Sequence, residues 1–109
     1  DKTVNLTSAE QIWNFIYVKD LCEAVDLSMQ SKYFGPVNLC GDENLPLKHY
    51  LNLTANFFSK AHLLEFGAVD HHSENRNISG NNKLLKRISG WTPKYSFLSG
   101  LSDYLKLKA

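Results

Sequence analysis

Residues 11–21, QIWNFIYVKDL, constrain this chain more than any other stretch. Trp13, Phe15 and Tyr17 stand at alternate positions, the period at which side chains share one face of an extended strand. Aromatic and β-branched residues dominate Trp13 to Val18, so the pattern predicts a short strand there. Asp20 then opens a helix, because a carboxylate in the first turn meets the positive end of the helix dipole. Leu21, Val25 and Met29 recur four apart, with Cys22 and Ala24 beside them, which predicts one apolar face. The aromatic row either packs as core or forms one wall of a binding cleft.

The rest of the chain continues the alternation. YFGPVNLCGD reads as a turn at Gly35-Pro36, a strand at Val37 to Cys40, and a turn at Gly41-Asp42. A helix begins near Pro46, a residue suited to the first helical turn, with Leu47, Tyr50, Leu51, Thr54 and Phe58 on one stripe. LLEF is a third strand ending at Gly67, and an aperiodic loop runs from Ala68 to Asn82. Loops of that length in a compact domain are more often functional than idle. Asn81 caps a short helix stopped by Gly90, and Ser96 caps a last helix carrying Phe97, Leu101, Tyr104 and Leu105. Short strands alternating with about four helices predict an α/β fold.

Composition excludes several classes of function. The chain has 109 residues, enough for one domain and too few for two. A net charge of +1 from mixed basic and acidic residues exerts no pull toward nucleic acid or a membrane. The basic cluster Lys83, Lys86 and Arg87 reads as a solvated helix face. Cys22 and Cys40 stand far apart without metal or redox spacing, which suits free thiols in a reducing cytosol. No apolar run is long enough to span a bilayer, and the N-terminus does not read as a signal peptide, so the expected location is cytoplasmic. The Asn-x-Ser/Thr triplets at Asn5, Asn52 and Asn77 are then read as chance.

Four blocks occur together in order: WNFIYVKDLCEAV, GPVNLCGDENLPLKHYL, LLEFGAV and GNNKLLKRISGWTPKYSFLSGL. In this order and spacing they resemble the C-terminal part of the NAD-dependent epimerase/dehydratase family, the extended short-chain dehydrogenases acting on nucleotide-diphosphate sugars. Phe15, Ile16, Tyr17, Val18, Asp20 and Leu21 carry the first match. Lys86, Arg87, Gly90, Trp91, Pro93, Lys94, Tyr95, Ser96, Gly100 and Leu101 carry the last. The resemblance implies that residues 1–109 form a single substrate-binding lobe, attached in the complete enzyme to a Rossmann part that holds NAD or NADP. Trp13 replaces an arginine that in the family contacts the substrate diphosphate, and Asn14 replaces an aspartate. Trp13, Pro46, Leu47, Lys48 and Tyr50 fit a subset of sugar-nucleotide 4-ketoreductases better. In the loop, His71 stands where family members often keep another arginine, Glu74 matches their acid, and Arg76 is the loop's strong cation.

The substrate-binding residues so implied are Trp13, Asn14, His71, Glu74 and Arg76, for a nucleotide-diphosphate sugar. Each has a plainer alternative. Trp13 can be core packing beside Phe15 and Tyr17, and Arg76 a solvated loop residue. Adjacent His71 and His72 usually point apart and lack further ligands at metal spacing, so no metal is expected. The chain is read as lacking both the glycine-rich turn and the Tyr-x-x-x-Lys pair, through which the family binds NAD and moves protons. The N-terminal Rossmann part is therefore expected to be absent and the chain inactive alone, with no cofactor of its own. A homodimer is among the assemblies implied. The alternative is a stand-alone interaction module derived from the same lobe.

Overall fold

The computed structural model describes residues 2–70 and 76–108. Along the chain run β1 (Val4–Asn5), β2 (Ile12–Asn14), α1 (Val18–Gln30), β3 (Asn44–Pro46), α2 (Leu47–Phe57), a 3-10 turn (Ala61–Leu63), β4 (Leu64–Glu65), α3 (Lys83–Ser89) and α4 (Phe97–Lys108). The expected α/β architecture, short strands alternating with four helices, holds among the described residues. One two-stranded sheet joins β1 to β4 and another joins β2 to β3. The chain divides into two compact units, Asp1–Trp13 with Leu45–Ile78 and Asn14–Asn44 with Ser79–Ala109.

In the first unit β1 and β4 pair in parallel, Val4 opposite Leu64 and Asn5 opposite Glu65. Leu6 N–H donates to Glu65 and Val69 N–H to Leu6, which carries the pairing beyond the strands. The first turn of α2 has N–H groups without helical partners. Leu47 and Lys48 donate theirs to the carbonyls of Gln11 and Ala9, at 2.9 and 2.8 Å. Ala9 is buried and left-handed, with φ at +52°, which aims its carbonyl at the helix. Sequence periodicity had no access to β1, since two exposed residues are too few to carry a pattern.

The second unit is built around Ala24, Leu85 and Trp91, with Ile16, Leu27, Val37 and Leu39 packed against them. Asp20, only 2% exposed, lies in the first turn of α1. Its carboxylate accepts the backbone N–H of Lys94 at 2.9 Å and of Tyr95 at 3.1 Å. Its main-chain carbonyl accepts Trp91 Nε1–H at 3.0 Å. One residue therefore ties the helix to the whole WTPKY segment. Gly90 ends α3 at φ +72°, its N–H on the Lys86 carbonyl, as the sequence predicts. Ser96 and Ser99 exchange hydroxyl-to-N–H bonds at the start of α4, a reciprocal cap.

Three local expectations are corrected here. The strand stops at Asn14, so the aromatic row is divided: Phe15 meets Phe97 edge-on at 5.4 Å and Tyr17 lies 4.8 Å from Tyr95. Val37 to Cys40 forms no strand; Val37 and Leu39 pack on the core instead. On α1 the buried face belongs to Asp20 and Ala24, while Met29 is 80% exposed. The four-residue spacing was real, but burial follows the position of Asp20, which hydrogen bonding dictates.

Tyr17 also donates to Asp103 at 2.6 Å, and Lys19 pairs with the same oxygen at 2.9 Å. The hydrogen bond to Asp103, then burial, pushes the Tyr17 phenol up to about 12. The Tyr17 bond and then Lys19 hold Asp103 below the usual carboxylate range.

Asp20→Ala, which strands two backbone donors, is expected to destabilise the protein by about 2–4 kcal/mol in urea denaturation, and Asp20→Asn by less. The Tyr17 contribution is complete below the ordinary phenol value of 10 and lost as pH rises through about 12. Difference absorbance at 295 nm between the native chain and Tyr17→Phe should show this late titration, and Asp103→Asn should move it down toward 10.

Candidate functional site

Trp13 sits half-buried on β2, and its carbonyl accepts the Tyr50 hydroxyl from α2 at 3.2 Å. Its neighbour Ile12 is paired on both sides. The Ile12 N–H donates to Asn77 Oδ1 at 2.8 Å, and the Ile12 carbonyl accepts Ile78 N–H at 2.8 Å. The end of the long loop thus runs alongside β2, and it carries Arg76, exposed, one residue before the anchored Asn77. Two of the sequence-derived candidates, Trp13 and Arg76, are in this way brought onto neighbouring segments of the first unit. His71 and Glu74 lie outside the described residues. The sequence marked Asn77 only as an Asn-x-Ser triplet read as chance, and it did not reveal the Tyr50 hydroxyl's role. Tyr50 looked like one member of an apolar stripe.

Asn14 belongs to a different arrangement, within the second unit. Its Oδ1 accepts Gly41 N–H at 2.8 Å while its Nδ2 donates to Gly41 O at 2.9 Å and to Asn44 Oδ1 at 3.0 Å. Asn44 repeats the device on Gly80, accepting its N–H at 2.7 Å and donating to its carbonyl at 3.0 Å. Asn82, buried, donates to the Cys40 carbonyl and to Asp42. Both glycines are required by close approach: a Cβ would lie 2.3 Å from Phe15 O at Gly41 and 2.5 Å from Cys40 Sγ at Gly80. Lys86 and then Asn82 hold Asp42 below the usual carboxylate range, and burial pushes the Cys40 thiol up, away from reactivity. Both ends of the Asn14 amide are engaged by its own chain.

These glycines do not fit a dinucleotide. A pyrophosphate cradle needs open glycine N–H groups leading into a helix N-terminus, whereas Gly41 and Gly80 give theirs to asparagines and are filled by Phe15 and Cys40. The expected absence of a Tyr-x-x-x-Lys pair is corrected: the spacing occurs once, at Tyr104 and Lys108, at the end of the chain's last helix. There, at the end of α4, the Lys108 ammonium lies over the exposed Tyr104 ring at 5.3 Å, a cation–π contact. Among the described residues no three His, Cys, Asp or Glu side chains gather as a metal site requires, and no helix is long and apolar enough to cross a membrane. A shallow groove of about 220 Å³ in the second unit, walled by Val25, Met29, Tyr33, Val37 and Ile88, includes none of the candidate residues.

No family model matches the sequence. CDP-abequose synthase of Salmonella typhimurium is 28% identical over 110 residues, covering 94% of this chain and 36% of that protein. The dTDP-glucose 4,6-dehydratase of Bacillus anthracis, solved with NAD, matches at a TM-score of 0.78 and 21% identity, over 96% of this chain and 34% of that one. MoeE5, solved with UDP-glucuronic acid and NAD, matches at a TM-score of 0.73 and 15% identity, over 98% of this chain and 38% of that one. The chain spans about a third of the length of the proteins it matches. The resemblance read from the four blocks is borne out: this chain has the fold of the C-terminal part of the extended short-chain dehydrogenases.

Asn14→Ala removes both partners of a tightly packed glycine peptide and should cost about 1–3 kcal/mol in denaturant unfolding. Asn14→Asp keeps one acceptor but sets a carboxylate against the Gly41 carbonyl, so it should recover little of that loss.

Proposed function

We propose that this chain is the substrate-side lobe of an NAD(P)-dependent enzyme acting on nucleotide-diphosphate sugars, an epimerase, dehydratase or 4-ketoreductase. The observation that carries this reading is the joint match, in sequence blocks and in fold, to about a third of proteins whose names and ligands are nucleotide sugars. NAD or NADP belongs to the complete enzyme and supplies the redox chemistry there. Gly41 and Gly80 are occupied by their own neighbours, and the chain alone is inactive. Its other partners are the N-terminal Rossmann part and, through that assembly, a second copy in a homodimer.

The residues here act on the ligand side. The Arg76 guanidinium has the planar fork that matches two diphosphate oxygens at once. Trp13 offers a ring face as one wall of the pocket, in the place where many relatives have a cation, which favours the 4-ketoreductase-like subset. His71 and Glu74 act on the ligand from the same stretch of sequence. Asn14 contributes through the Gly41 turn that it holds rather than by direct contact.

Calorimetric titration of the chain with UDP-, CDP- and dTDP-sugars tests the reading. At least one should bind, and Arg76→Ala should weaken it by about 10- to 100-fold, the worth of a charge-assisted contact. If none of the three binds, the reading is lost.

A further inference from the structure

The loop segment that carries Arg76 is attached to β2 in an unusual manner. A strand residue in a ladder normally spends its N–H on a neighbouring backbone carbonyl. Ile12 instead gives its N–H to the side-chain carbonyl of Asn77 at 2.8 Å, while its own carbonyl takes Ile78 N–H at the same distance. Asn77 therefore stands in for a strand carbonyl, and the pair of bonds holds residues 77 and 78 against one point of β2. The Tyr50 hydroxyl fixes the next residue of that strand through the Trp13 carbonyl, 3.2 Å away. With both bonds made, the backbone leaving Arg76 has one direction. With the Asn77 bond removed, the segment loses one of the two bonds that fix it to Ile12, and the Arg76–Asn77 peptide is held less firmly.

We infer that Asn77 is a positioning residue: its side-chain carbonyl, bound to Ile12, aims the Arg76 segment along β2 and so presents the guanidinium to an anionic ligand of the diphosphate class. The ligand half of this inference rests on the reading proposed above; the ordering half does not. The gain is preorganisation, since an arginine already held near its bound direction loses less freedom when it meets an anion. Asn suits the task because its amide carbonyl is a neutral acceptor on a short stem with few rotamers, so a backbone carbonyl is imitated without adding charge beside the ligand.

The test uses the full chain and reads two properties separately. Limited trypsin digestion followed by mass spectrometry measures cleavage after Arg76, with cleavage after Lys48, inside α2, as the measure of general opening. Asn77→Ala should speed cleavage after Arg76 about tenfold and leave Lys48 unchanged, while Asn77→Asp, which keeps an acceptor for Ile12, should stay within about twofold of the native chain. Equal acceleration at both bonds, or none at Arg76, overturns the positioning role. Titration with UDP-, CDP- and dTDP-glucose reads the ligand half: Asn77→Ala should weaken binding about tenfold, less than Arg76→Ala does. Native affinity in Asn77→Ala alongside weak binding by Arg76→Ala overturns the ligand half of the inference. Native affinity in Arg76→Ala, with faster cleavage in Asn77→Ala, removes the substrate reading and leaves the ordering of the segment standing.

Discussion

A buried carboxylate that accepts two backbone N–H groups governs the second unit. Asp20 is nearly inaccessible to water, and an unpaired charge at such a place is costly enough to prevent folding. The Lys94 and Tyr95 N–H groups meet that requirement, so the WTPKYS connector must pass over the start of α1. Once it does, Trp91 is delivered into the core, where its indole N–H finds the Asp20 carbonyl and its ring packs with Ala24 and Leu85. Apolar burial supplies much of the stability, and the hydrogen bonds decide the register.

The same logic, with neutral groups, orders the loops. Three asparagines take the place of missing strand partners: Asn14 at Gly41, Asn44 at Gly80 and Asn77 at Ile12. An amide side chain offers an NH2 donor group and a carbonyl acceptor at a spacing close to that of a backbone peptide, so it can satisfy a glycine's N–H and C=O together. Short strands and long connections leave many backbone groups without ladders, and this chain meets that need with side-chain amides. The cost falls on function: an asparagine engaged in this way has little left to offer a ligand.

The legible parts of the fold were those governed by local rules. Gly90 as a helix stop and Ser96 as a cap follow from backbone preferences that neighbours in sequence set. The errors came where a distant partner decided. Phe15 and Tyr17 alternate with Trp13 as a strand would, yet Phe97 and Tyr95 draw them toward the last helix and its connector. Met29 fits an apolar helical stripe, yet the helix is rotated to bury Asp20 and Ala24. Of the candidate site, the types of Trp13 and Arg76 were readable, while Asn77 and the Tyr50 hydroxyl acquire meaning only from contacts 65 and 37 residues away.

The amino-acid sequence by itself determined the α/β class, the helices, and the resemblance to nucleotide-sugar enzymes, because helical periodicity, capping residues and block order are all written along the chain. It also contained the two residues proposed for ligand contact, a loop arginine and a tryptophan ahead of a helix. Tertiary structure alone decided that the aspartate of IYVKDL is a buried tie to the WTPKY segment, and that Asn14 serves Gly41. The physical reason is the same in each case. A polar side chain has several acceptable partners in water, and only the folded chain shows which one burial leaves within reach.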